Sequence, residues 1–354
     1  MGCTVQHVRL LVRDGKIKGE RIGRDWLVDE QSVHDFAERR YPKSEPDAGS
    51  LGEPTQVATL FPEPELQPIV NVASVPHRSP FRYPGGKTWL VPIARLWLDH
   101  LRHRADRLVE PFAGGGGIGL AAVFEGYVRE SLLVELDPDV AAVWRTILSD
   151  DGPRLAGRIR KFKPTIETVA ECLGTPASDA LGMAFQTILR NRVSRGGILA
   201  PGAGLIKTGE AGRGLASRWY PETLARRIEA IHERRKDIRF AEADGLDVLR
   251  QCLTDPKAVF FVDPPYPVAG KRLYRMHDLN HRFLFELLAE ARGEFLATYD
   301  NNPVIQALAG EFGFETRLVP MKSTHHEKKW ELLISRSLDW LPTNHYPRPS
   351  GSVV

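Results

Sequence analysis

"VEPFAGGGGIGLAA", residues Val109 to Ala122, is an apolar run that ends in four consecutive glycines and resumes with a helical pattern. A turn of this kind folds the backbone tightly and lets it lie close against a ligand at the following helix N-terminus. Alone it fits dinucleotide, flavin and S-adenosylmethionine (SAM) sites equally. No Gly-Lys-Ser/Thr follows the glycines, which excludes a phosphate P-loop. The next apolar run ends in "LLVELDPD", Leu132 to Asp139, and sets Glu135 and Asp137 at the carboxyl end of a second strand. An acid about 20 residues beyond a Gly-rich turn can accept from ribose hydroxyls and fits a nucleoside-type ligand. Asp137, directly before Pro138, reads equally well as a helix N-cap.

Strand-like runs alternate with helical patterns on both sides of this stretch. They cover Arg107 to Pro111, Ser131 to Leu136, Ile238 to Ala243, Ala258 to Val262, Glu294 to Tyr299, Thr316 to Met321 and Trp330 to Ser335. Seven such runs predict an α/β fold with a mostly parallel sheet. The interval 151–237 is too long for one crossover and reads as an inserted subdomain. The fourth run leads into "FFVDPPYPV", Phe260 to Val268, at the edge of the sheet where ligands bind in open α/β folds. Pro264 and Pro265 have no N–H, so their segment is rigid and offers only carbonyl acceptors. Asp263 and the Pro264 carbonyl make two acceptors for one exocyclic amine, and Tyr266 supplies a ring on which a base can stack.

The 354 residues are 42% hydrophobic, 26% charged and 8% aromatic, and no apolar run has the length of a membrane span. Cys3, Cys172 and Cys252 are too few and too scattered for a disulfide framework or a zinc site, so a reducing, cytoplasmic setting without a metal is expected. The net charge of +3 hides an uneven distribution: residues 190–236 carry eleven Lys/Arg against four acids. A local excess of that size attracts a polyanion. Arg190, Arg192, Arg195, Lys207, Arg213 and Arg218 are the candidates to track phosphates, among Gly-rich turns that permit close approach. "STHHEKKW", Ser323 to Trp330, reads as a solvated basic loop.

Six prolines within 44–78, with no apolar period, mark a linker between a small N-terminal unit, 1–43, and everything after Ser79. In that unit a short helix from Thr4 precedes a hairpin, Ile17 to Arg21 and Trp26 to Val28 around Gly23-Arg24, and a second helix over Asp29 to Arg39. "TVQHVRLLVRDGKIKGERIGRDWLVDEQSVHDFA" resembles the excisionase and MerR-like winged helix-turn-helix family. That resemblance would turn Gln6, His7, Arg9 and Arg13 to DNA and place Arg21 and Arg24 on the wing. The family has one more helix upstream, so either the unit begins earlier or it is incomplete. A remnant or a protein–protein module is the alternative to DNA binding.

From Pro80 to about Ser337 the chain resembles the Dam-type, D12-class DNA adenine N6-methyltransferases. "PFRYPGGK", Pro80 to Lys87, is similar to that family's N-terminal SAM motif, with Tyr83 and Lys87 as its aromatic and lysine. "EPFAGGGG" matches the FxGxG loop, with Phe112, Gly114 and Gly116, and Asp137 takes the place of the ribose-binding acid. "DPPY", Asp263 to Tyr266, matches the catalytic tetrad, and "ATYDNNP" and "KKWELLIS" resemble the later strands. Asp244, in "EADG", is a candidate for the cofactor adenine or for a helix cap. The resemblance implies a Rossmann-like, seven-stranded sheet whose last strand is antiparallel, over 79–150 and 238–340. The region 151–237 would then be a helical target-recognition subdomain, and 341–354 a disordered tail. It also implies SAM as cofactor, double-stranded DNA as partner, a monomer acting away from membranes, and site-specific transfer to N6 of a flipped-out adenine, as in restriction-modification. "RNRVSRGG" departs from the family's Asn-Arg-x-x-x-Asn-Gly pattern, so the target sequence is left open. The alternatives are a cytosine-N4 or RNA methyltransferase, or a DNA-binding regulator whose methyltransferase fold is inactive.

Overall fold

The computed structural model describes residues 19–22, 25–28, 75–82, 86–200, 203–209, 212–266, 279–322 and 328–342. The chain divides into two units, 1–62 and 63–354. In the first, β1 (Gly19–Ile22) and β2 (Asp25–Val28) pair antiparallel with Ile22 opposite Asp25, so Gly23 and Arg24 alone connect them. This is the expected hairpin, slightly shifted in its first strand. The helices expected on either side, with Gln6, His7, Arg9, Arg13 and Arg24, and the linker up to residue 74 lie outside the described residues.

The second unit begins its order earlier than Ser79, because Val75 already reaches the core. α1 (Val91–His100) leads to β3 (Arg107–Glu110), α2 (Gly117–Phe124), β4 (Glu130–Glu135) and α3 (Pro138–Leu148). Four helices follow: α4 (Gly152–Lys161), α5 (Ile166–Gly174), α6 (Ala180–Val193) and α7 (Pro221–Glu233). The chain then returns through β5 (Ile238–Glu242), α8 (Gly245–Cys252), β6 (Ala258–Val262), α9 (His281–Glu290) and β7 (Phe295–Asp300). It closes with α10 (Pro303–Glu311), β8 (Glu315–Lys322) and β9 (Lys328–Ser335).

All seven expected strands form one sheet, in the order β5-β4-β3-β6-β7-β9-β8. Numbered within the sheet this is 3-2-1-4-5-7-6, the pattern of Rossmann-like methyltransferases. The first five strands are parallel, and β9 runs antiparallel to both β7 and β8, between which it lies. β6 is buried at every position, which is why "AVFFV" is uninterrupted by polar residues. The strand order reverses between β3 and β6, so a crevice opens at their carboxyl ends.

The region 151–237 is helical, as the resemblance implied, but it has no core of its own. Leu155, Ile159, Phe185, Ile188 and Leu224 belong to the same buried cluster as Ile118 and Trp144 beneath the sheet. Leu341, the first residue of the expected tail, is buried in that cluster with Leu338, and residues 343–354 lie outside the described residues. No described helix is long and apolar enough to cross a membrane.

Candidate active site

The Gly-rich turn joins β3 to α2. Gly114 (φ +47°) and Gly116 (φ +61°) both take the left-handed backbone that a side chain resists, and Gly116 caps α2. Trp144 Nε1 donates to the Gly114 carbonyl at 2.9 Å and fixes the turn from below. Glu135, at the end of β4, accepts from the N–H groups of Gly114 (3.0 Å), Leu136 (2.8 Å) and Asp137 (2.9 Å). Burial pushes its carboxyl up to about 7. Asp137 accepts from Asp139 N at 2.9 Å and caps α3, so of the two acids it is Glu135 that lies directly against the turn. Asp244 likewise caps α8, through Leu246 N at 2.7 Å. A Cβ on Gly245 would stand 2.2 Å from the Pro111 carbonyl oxygen and 3.1 Å from the Phe112 ring. The bare glycine therefore lets the two turns close on each other.

Glu110, the last residue of β3, is buried and accepts from Gly119 N at 2.8 Å. Burial drives its carboxyl up to about 8, the α2 N–H groups oppose that rise, and the nearby Asp263 charge adds to it.

At the carboxyl end of β6 the DPPY segment meets residues from three other parts of the chain. Asp263 Oδ1 lies 2.9 Å from Lys87 Nζ and accepts from Thr298 Oγ1 at 2.9 Å. Lys87 Nζ is also 3.0 Å from Glu331 Oε1 on β9 and donates to the Tyr266 hydroxyl at 2.8 Å. That hydroxyl is in donating reach of Asp263 Oδ1, at 3.2 Å, and of Glu331 Oε1. The Tyr266 ring stacks on Tyr299, centroid to centroid 5.8 Å at 25°. Pro264 is buried and Pro265 half-buried beside it. Burial alone would depress the Lys87 ammonium, but Asp263 and then Glu331 hold it above the usual lysine range. The expected residues Lys87, Asp263 and Tyr266 thus converge, while Tyr83 lies outside the described residues. Glu331 and Thr298 went unassigned in the sequence reading; the available signal was a carboxylate inside the apolar run "WELLIS".

The basic segment is stitched to the chain just before Lys87. Asn191 accepts from Arg82 N (2.8 Å) and donates to the carbonyls of Arg82 (3.1 Å) and Gly197 (2.7 Å). Lys207 and Arg213 are exposed, and Arg195 is exposed with Nε on the Leu205 carbonyl at 3.2 Å. Arg218 is half-buried, and Arg190 Nη1 lies 3.5 Å from Asp139. Arg192 differs from the expectation that it tracks phosphates on the surface. It is buried at the end of α6, with Nη2 donating to the Pro80 carbonyl at 2.6 Å and Nε without a partner. Arg227 on α7 donates to the adjacent Ser79 carbonyl at 3.3 Å. Among the described residues no carboxylate pairs with either guanidinium. Burial, then Arg227 and Arg82, bring Arg192 down to about 9, and burial with Arg227 and Arg192 brings His77 down to about 4.

No family model and no curated protein matches the chain. Among solved structures it is similar to the rRNA methyltransferase aviRa from Streptomyces viridochromogenes, with 16% identity, 70% of this chain and 84% of that one covered, and a TM-score of 0.31. It is also similar to the precorrin-6y C5,15-methyltransferase from Geobacter metallireducens GS-15, with 10% identity, 69% and 86% covered, and a TM-score of 0.30. A third is the glycopeptide N-methyltransferase MtfA complexed with SAM, with 11% identity, 69% and 92% covered, and a TM-score of 0.31.

Proposed function

We propose that the protein is a SAM-dependent DNA methyltransferase acting on adenine N6. The observation that carries this reading is Asp263-Pro264-Pro265-Tyr266 at the carboxyl end of β6, one strand from a Gly-rich turn, at the point where the strand order reverses. The turn suits the cofactor. Its left-handed glycines bring bare backbone to the crevice, and Glu135 stands against Gly114 as an acceptor for ribose hydroxyls. Phe112 and the α2 N-terminus would flank the same ligand.

SAM, when bound, supplies an electrophilic methyl group. The protein's part is to make the amine receive it. Adenine N6 is a weak nucleophile because its lone pair is delocalised into the ring. Asp263 and the Pro264 carbonyl, accepting its two N–H bonds, localise that pair on nitrogen. Thr298 and Lys87 hold the Asp263 carboxylate in one orientation. A base must leave the duplex to reach this point, and the half-buried Tyr266 ring offers it a stacking face. The buried Arg192 and half-buried Arg227, whose guanidiniums have only carbonyls as partners among the described residues, and the exposed Arg195, Lys207 and Arg213 favour a polyanionic substrate.

The test is transfer of labelled methyl from SAM to unmethylated duplex DNA, with RNA and adenine-free G·C duplexes in parallel, followed by sequencing of the modified base. N6-methyladenine in DNA supports the reading. Label confined to RNA or to cytosine replaces the substrate, and SAM binding without transfer to any nucleic acid overturns the assignment.

A further inference from the structure

We propose that Glu331 is a positioning residue for the transfer, its carboxylate holding the Lys87 ammonium and the Tyr266 hydroxyl so that Asp263 is only half neutralised and the Tyr266 ring stands ready as a platform. β9 lies between β7 and β8, with Glu331 opposite Asp300 on one side and Val319 on the other. Its neighbours Leu332, Leu333 and Ile334 are core residues. A carboxylate at such a position is expensive unless it is paired and hydrogen-bonded. Glu331 has both kinds of partner, Lys87 Nζ at 3.0 Å and the Tyr266 hydroxyl.

The charge count gives this arrangement a consequence. Lys87 is flanked by two carboxylates, Asp263 at 2.9 Å and Glu331 at 3.0 Å, so with both ionised the three groups carry one net negative charge; burial pushes the Glu331 carboxyl upward, and the Lys87 ammonium beside it opposes that rise. With Lys87 and Asp263 alone, the pair would be neutral and Asp263 a weaker acceptor. N6 gains positive charge as the methyl group arrives, and an excess negative charge already fixed a few ångströms away stabilises that change without reorganisation. Among the described residues, Asp300 on β7 also faces the cluster from the sheet; burial pushes its carboxyl upward and its Oδ1 is buried without a hydrogen-bond partner. Glu110, at the end of β3, interacts with the Asp263 charge. Glu331 also ties down the polar end of Tyr266 while Tyr299 supports one face of its ring, which spares an incoming base the ordering of that side chain.

The experiment compares wild type with Glu331→Gln, which removes the charge, and Glu331→Asp, which keeps it. Two readouts are taken: steady-state transfer, and the rate at which acetic anhydride acylates Lys87 in the folded protein, by mass spectrometry. The proposal expects E331Q to lose at least tenfold in kcat with KM for SAM and DNA changed less than threefold, E331D to recover most of the loss, and Lys87 acylation to rise severalfold in E331Q only. Unchanged kcat, a loss that E331D shares in full, or Lys87 acylation equal to wild type would each overturn it. The kinetic readout rests on the methyltransferase reading; the acylation readout does not. A wild type that methylates nothing would sink that reading while acylation still decides the role of Glu331.

Discussion

At the carboxyl end of β6, charges of opposite sign are packed against each other, whereas at the junction of α6, α7 and the Ser79–Arg82 segment charges of one sign are packed together. In the first region Lys87, Asp263, Glu331 and Tyr266 exchange bonds of about 3 Å. In the second, Arg192 and Arg227 rest on the carbonyls of Pro80 and Ser79, and among the described residues no carboxylate joins them. Burial has opposite effects in the two places. It is offset for Lys87, which stays above the usual lysine range, and uncompensated for Arg192, which falls to about 9. A cluster of paired opposite charges can wait unliganded, whereas like charges held close together favour the arrival of an anion. On the proposed function, the first region would carry the chemistry and the second would meet the substrate's charge.

Three substitutions test that division, beginning with the one of largest effect. Asp263→Ala removes the acceptor itself. Methyl transfer is expected to fall by about 10³-fold, while the SAM dissociation constant changes by less than about tenfold, as read by calorimetry. Equal losses in both would move Asp263 out of the chemistry and into cofactor binding.

Arg192→Met keeps an unbranched apolar stem and deletes the buried charge. Because Arg192 is buried and reaches DNA only through its field, the DNA KM should rise by about threefold, with the salt slope and SAM binding unchanged. Relief of an unpaired buried cation should also raise the melting temperature. A higher melting temperature with wild-type DNA binding would make this region structural and dissolve the contrast.

The smallest expected effect concerns Glu135 and pH. If its ionised carboxylate accepts from the ribose, SAM affinity grows as pH rises through about 7, the point to which burial pushes this group. Affinity at pH 6 should then be about tenfold below its plateau at high pH. Glu135→Gln should bind more weakly above pH 7 and show a flat profile, measurable by equilibrium binding across pH 5.5 to 8.5. A wild-type profile without slope would leave the turn to the backbone and Phe112 alone.

Much of this was legible before any coordinates. The parallel strands announced themselves because β6 is buried at every position and therefore apolar throughout, and the glycines of 114–117 had to serve a tight turn. DPPY was readable because it follows a strand end directly. The roles of Asp137 and Asp244 were legible only as alternatives, since an acid before a helix reads as both cap and ligand, and the caps are the bonds present. Arg192 was misplaced for a plain reason. A count of basic residues along 190–236 is blind to which face of α6 each occupies, and Arg192 faces inward.

What the sequence determined by itself was local: strand and helix periods, the Gly-rich turn, the rigid acceptor pair at Asp263 and Pro264, and the uneven charge. These follow from short-range sterics and burial patterns, which neighbouring residues impose on one another. Only the tertiary structure decided that Lys87, Thr298 and Glu331, separated from Asp263 by tens to more than a hundred residues, would share its oxygens or its lysine. It took the antiparallel insertion of β9 between β7 and β8 to bring Glu331 there, and strand order depends on how the whole core closes rather than on any single segment.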